Sequence, residues 1–140
     1  REGATDRASF QNFSFNFDSA AGIIYTVDVT KPKGEKITII SMADGTPFSM
    51  DKMYKVALNS YRGNGGGELL TKGAGIPQDE LKGRILFSTD KDLRYYLMQY
   101  IEKKGVIEPY ALGQWKFIPE EWVEPAAKRD YEYLFGKVEK

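Results

Sequence analysis

IIYTVDVTKPKGEKITII, residues 23–40, sets two β-branched runs on either side of a breaker. Residues 23–29 read as a strand. Lys31-Pro32-Lys33-Gly34 stops it, because proline brings no N–H to a ladder and glycine turns freely. Residues 37–40 (ITII) are β-branched throughout and read as the next strand. A run, a short breaker and a second run describe strands joined locally, not a crossover through a helix. Working outward, Phe13, Phe15 and Phe17 alternate with Ser14 and Asn16. Period two predicts a further half-buried strand, whose rings read as core more than as a binding platform. Asp18 to Gly22 reads as the turn after it, and Asp44-Gly45 as a tight turn. Residues 54–59 (YKVALN) are expected to form a fourth strand, and residues 84–87 (RILF) a fifth.

Helical signals come later in the chain. Pro77 opens a short helix over residues 77–82. Leu93, Tyr96, Leu97, Tyr100 and Ile101 recur at helical spacing on one face. Thr89 or Asp90 is expected to cap that helix, with Asp92 in its first turn, Lys103 and Lys104 at its negative end and Gly105 closing it. Tyr96 and Tyr100 are expected on the core face and Tyr95 in solvent. The tail carries Trp115, Phe117 and Trp122, then Pro125 opening a last short helix to Phe135-Gly136. Strands early and helices late predict an α+β fold, a mixed or antiparallel sheet packed with helices.

At 140 residues the length suits one domain. Lys+Arg and Asp+Glu balance at 20 each, so no electrostatic footprint for a nucleic-acid polymer or an anionic membrane is present. Histidine and cysteine are both absent. The usual general base, serine- or cysteine-nucleophile chemistry with a histidine partner, and His- or Cys-ligated metals are thereby excluded within this chain. Apolar stretches reach only about five residues, far short of a membrane span. The chain opens on Arg1 with no basic-then-apolar leader, and is read as a piece of something longer.

NSYRGNGGGELL, residues 59–70, is the one stretch that reads as a site. It is not a P-loop, since no Gly-Lys-Ser/Thr follows, and the spacing fails the dinucleotide fingerprint. Consecutive glycines let backbone N–H groups approach a ligand without Cβ clashes, and also make a mobile surface loop; both readings stand. Arg62 suits bidentate contact with a carboxylate or phosphate, and Tyr61 suits stacking or hydrogen bonding. The alternative is a packed tyrosine beside a solvated arginine. Acidic pairs such as Asp79-Glu80 and Glu120-Glu121 read as helix-start charges, not acid/base machinery. Asn12-Phe13-Ser14 matches the glycosylation sequon, but within a predicted strand it carries no weight. No catalytic residue and no metal ligand emerge.

Three stretches together resemble the C-terminal, substrate-binding domain of the 5'-nucleotidases and 2',3'-cyclic-nucleotide phosphodiesterases. They are NFD…AGIIYTVDVTKP (residues 16–32), YKVALNSYRGNGGG (54–67) and STDKDLRYYLMQYI (88–101). The resemblance implies that residues 1–107 are the C-terminal part of that domain, and that residues 108–140 form an aromatic-rich extension packing on it. It implies a nucleotide or nucleoside ligand held by Asn59, Tyr61, Arg62, Asn64, Gly65, Gly66, Gly67 and Leu69. It implies further an N-terminal metallophosphoesterase domain with two divalent metal ions, none of them held here, and a periplasmic, extracellular or cell-surface location. Relatives place an aromatic ring in or just after the glycines, where this chain has Asn64, Glu68, Leu69 and Leu70. That departure at Leu69 motivates one alternative, a non-catalytic nucleotide-binding module; the tryptophan-rich tail motivates another, an interaction domain docking through residues 115–140.

Overall fold

The computed structural model describes residues 17–136. In chain order the elements are β1 (Ile23–Asp28), β2 (Ile37–Met42), α1 (Ser60–Gly63), a 3-10 turn (Gly66–Glu68), a π-helical turn (Leu69–Gly73), a 3-10 helix (Gln78–Arg84), α2 (Leu93–Lys104), β3 (Trp115–Ile118) and α3 (Glu120–Phe135). They fall into two compact units. A β unit comprises residues 17–52 and 111–136, and a loop unit comprises Met53–Tyr110. The fold is α+β.

In the β unit the sheet order is β2-β1-β3. The two β-branched runs pair antiparallel, with Tyr25 opposite Ile39 and Val27 opposite Ile37, and the register shifts between Ile24 and Tyr25. β3 joins β1 in parallel, so the sheet is mixed. Its register sets Tyr25 beside Trp115 and Val27 beside Phe117, four side chains on one face. The Tyr25 and Trp115 rings stack at 6.0 Å, and Trp115 meets Phe117 edge-on at 5.1 Å. The Tyr25 hydroxyl accepts from Ala20 N–H at 3.1 Å, which lets the ring be 6% exposed without stranding its oxygen. Burial of a side chain this size stabilises by roughly 1.5–3 kcal/mol.

Two turns of this unit use the same device. Asp28 Oδ1 accepts from Thr30 N–H at 2.9 Å and Thr30 Oγ1 at 2.6 Å; Asp44 Oδ1 accepts from Thr46 N–H and Oγ1 at the same two distances. A carboxylate serves this Asx arrangement better than its neutral form. The threonine hydroxyl, then its N–H, accordingly hold each aspartate below the ordinary carboxylate value. Lys36 Nζ donates to Val29 O at 3.1 Å and also to Lys31 O, closing the connection between β1 and β2.

Several expected elements differ from what is found. Residues 54–59 and 85–87 carry no strand ladder. Alternating apolar residues suit a half-buried pleat, but a strand also needs a partner edge, and here Val56, Leu86 and Phe87 are exposed. β3 was not anticipated, since its pairing is with a strand about ninety positions upstream and leaves no local turn signal. α3 begins at Glu120, not Pro125; Pro119 sits at its N-cap and Pro125 lies inside it. Asp92, not Thr89 or Asp90, caps α2, its Oδ1 accepting from Tyr95 N–H at 2.9 Å. Tyr95 and Tyr96 are 43% and 42% exposed, so the expected contrast between them is absent. They meet edge-on at 5.3 Å. Phe17 lies outside any strand, its ring 5.8 Å from Trp115 and 6.3 Å from Phe117. Phe13, Phe15 and the Asn12-Phe13-Ser14 sequon lie outside the described residues.

Candidate functional site

The glycine-rich stretch is a series of short turns, each closed by its own backbone. Asn59 caps α1, its Oδ1 accepting from Arg62 N–H at 2.8 Å. This satisfies one of the donors that a helix start leaves without a partner. Gly63 N–H then bonds Asn59 O at 2.9 Å, Asn64 N–H bonds Ser60 O at 2.9 Å, and Gly65 N–H bonds Arg62 O at 3.0 Å. Glu68 N–H reaches Gly65 O at 3.2 Å, and Ala74 N–H reaches Leu69 O at 3.0 Å across the π-helical turn.

What comes close enough to need glycine is the chain itself. At Gly66 a Cβ would sit 2.6 Å from the Tyr61 ring edge and 2.6 Å from Tyr61 O. At Gly65 the backbone is left-handed (φ 93°), and a Cβ would fall 2.4 Å from Gln78 Oε1 and 3.1 Å from Leu81 Cδ1. Gly63, by contrast, has open space. The emptied side chains permit the loop to fold onto Tyr61 from one direction and onto the 3-10 helix Gln78–Arg84 from another.

Arg62 occupies the interior of this turn. It is 5% exposed, and Nη1 donates to Gly66 O at 3.2 Å, across the glycines. Its guanidinium carbon lies 5.2 Å from the Tyr61 ring centroid, a cation–π approach. Tyr61 is therefore held by Gly66 along one edge and by Arg62 at its face, yet remains 55% exposed. A fixed, solvent-facing aromatic ring is what a planar ligand needs. Leu69 follows as an exposed apolar residue at the start of the π-helical turn. Glu68 between them is left-handed (φ 61°), and among the described residues no other non-glycine residue has positive φ. Such a conformation costs roughly 1–2 kcal/mol for a residue bearing Cβ. Glu68 also faces Lys72 at 2.6 Å, an exposed pair that contributes little.

All eight residues singled out from the sequence thus lie in one continuous turn. Gln78 and Leu81 are not among them; Pro77 signals a short helix but says nothing of what that helix touches. Among the described residues no three or more of His, Cys, Asp and Glu converge. With no histidine or cysteine in the sequence, the chain offers no imidazole or thiolate ligand to a metal. A separate cleft of about 430 Å³ in the β unit lies between residues 19–21 and 111–115 and includes no residue of the loop. No described helix is long and apolar enough to cross a membrane.

Residues 3–72 match the family described as 5'-nucleotidase, C-terminal domain, a span that includes all of the loop. The chain is also similar to the trifunctional nucleotide phosphoesterase protein YfkN of Bacillus subtilis (strain 168), at 31% identity over 121 residues. That similarity covers 78% of this chain and 8% of the relative, so the chain spans under a tenth of the protein it matches. No solved structure matches it.

Proposed function

Because the chain belongs to the 5'-nucleotidase C-terminal domain family, we propose that residues 59–70 are the nucleoside- or nucleotide-recognition loop of a larger nucleotide phosphoesterase. The observation that carries this reading is Tyr61, exposed over more than half its surface yet fixed by Gly66 and the Arg62 guanidinium. A ring already ordered loses little freedom when a base stacks on it, and such stacking is worth about 1–3 kcal/mol. In this reading Tyr61 contacts the base and Leu69 adds apolar contact. Arg62, Asn59 and Gly65 to Gly67 hold the loop in shape, and Asn64 supplies a carbonyl at its apex. The chain offers no histidine, and no cluster of acidic side chains converges among the described residues, so we assign the two divalent ions and the attack on phosphorus to an N-terminal metallophosphoesterase domain of the same protein.

The test is kinetic. In the complete protein, Tyr61→Ala should raise KM for AMP by about tenfold while kcat stays within about twofold, the pattern of a lost binding contact. Turnover of ribose 5-phosphate, which has no base to stack, should not change. An AMP KM that ignores the substitution ends this reading. Leu69, where the family resemblance implies an aromatic ring, favours the second reading of a non-catalytic binding module. Adenosine binding with no hydrolysis by the complete, metal-loaded protein would select it.

A further inference from the structure

We infer that Gln78, set against Gly65 and Asn64 and flanked by the buried Leu81, is the positioning residue that fixes the geometry of the Tyr61–Arg62 turn. Most closures inside the turn join residues no more than five apart. Gln78 reaches it from outside: Nε2 donates to Asn64 O at 3.0 Å, and Oε1 occupies the space a Gly65 Cβ would need. Leu81 is 5% exposed, with Cδ1 on the same glycine. Ile76 N–H to Leu70 O at 3.0 Å brings the chain back, and Pro77 (φ −55°) sets it into the 3-10 helix that presents both side chains. Gln78 lies beyond residue 72, where the family match ends.

The coupling to Tyr61 is mechanical. Gly65 at φ 93° is the residue on which Gln78 presses, and its neighbour Gly66 is the residue on which the Tyr61 ring rests. Rotation at Gly65 therefore moves Gly66 relative to the ring, and carries the carbonyl that Arg62 Nη1 grips. For the ligand consequence, the inference rests on the recognition reading above.

The test uses the complete protein, segmentally ¹⁵N-glycine-labelled over these 140 residues, with adenosine as the probe, and Q78E and Q78A. Gln78 is exposed at a helix start, where glutamate is tolerated, so Q78E should melt as wild type does. It keeps the side chain's shape but replaces the donor to Asn64 O with an acceptor. The Gly65 and Gly66 amide signals should shift in both variants while Gly22, Gly34 and Gly45 stay in place. Adenosine binding should weaken by roughly two- to tenfold, the equivalent of one lost hydrogen bond. In Q78E both changes should reverse as pH falls through about 4, where the protonated carboxyl regains a donor. A purely structural residue would not give that reversal. Unmoved glycine signals in both variants overturn the inference, even if adenosine binds. If the signals move but wild type shows no response to adenosine, Gln78 keeps its positioning role and the recognition reading falls.

Discussion

The most buried side chain of the β unit is Tyr25, at 6% exposed; that of the loop unit, level with Leu81, is Arg62, at 5%. Tyr25 stacks on the Trp115 ring and lies between two neighbouring strands, so its ordering rests on apolar area and ladder bonds. Arg62 is wrapped by the turn it belongs to, and what it offers that turn is a directed donor and a charge against a ring. The first arrangement tolerates change at its edges and fails when area is removed. The second is built from close backbone approaches, and fails when a single atom is added. A recognition loop gains from the second kind, because geometry rather than area decides whether a ring is presented.

Removing area from the β unit should have the largest effect. Tyr25→Ala is expected to cost about 3–5 kcal/mol. Both tryptophans, Trp115 and Trp122, lie in this unit, so their fluorescence during denaturant unfolding reports on it alone. A loss under about 1 kcal/mol would mean the stacked face is not what holds the sheet.

Adding an atom to the loop comes next. Gly66→Ala places a methyl 2.6 Å from both the Tyr61 ring and its carbonyl oxygen, and the backbone oxygen has no rotamer with which to escape. Such overpacking costs typically about 1–3 kcal/mol. Exchange of the Gly63, Asn64 and Gly65 amides should accelerate accordingly, with the tryptophan transition unmoved. If the tryptophan transition falls by the same amount, the two units unfold as one, and the contrast drawn between them fails.

The same contrast explains what was legible beforehand. β1, β2 and α2 announce themselves locally, through β-branched runs with a Pro-Gly breaker and an apolar stripe ended by Lys103, Lys104 and Gly105. Residues 54–59 carry a similar local signal without a partner edge, so the pattern misleads. Trp115–Ile118 is the converse: it alternates over too few residues to stand out, and becomes a strand because Tyr25 and Val27 lie beside it. In the site, four glycines in five positions marked the turn. What they make room for could not be read, because Gln78 and Leu81 approach from a segment whose path depends on the π-helical turn between.

Relieving backbone cost in the loop should give a smaller change of opposite sign. Glu68 is left-handed at φ 61°, a conformation glycine adopts without a Cβ penalty. Glu68→Gly removes that strain and the exposed Lys72 pair, and gives back part of the gain through the freer unfolded chain. A net gain of about 0.5–1 kcal/mol is expected, visible as slower exchange at the Ala74 and Ile76 amides. Faster exchange there would show that Glu68 is held by something worth more than its strain.

Acid should produce the smallest difference and place it in the β unit. Thr30 and Thr46 hold Asp28 and Asp44 below the ordinary carboxylate value, and the Lys116 ammonium, bonded at 2.5 Å, does the same to Glu120. A carboxylate lowered on folding contributes stability that is complete above its unfolded pKa, about 3.9 for Asp and 4.3 for Glu. That contribution is lost as pH falls through the lower folded value. The tryptophan transition should therefore hold its midpoint down to about pH 5 and decline below about pH 4. Asn at positions 28 and 44 keeps an oxygen for the threonine N–H but cannot titrate, so D28N/D44N should flatten most of that decline and leave the share due to Glu120. Asp44 and Glu120 are exposed and Asp28 is half-buried at a strand end, so solvent screens all three and keeps the effect slight. A decline as steep in the double variant as in wild type would show that the two aspartate turns do not set the acid response, and that the β unit depends less on its turn carboxylates than their short bonds to threonine imply.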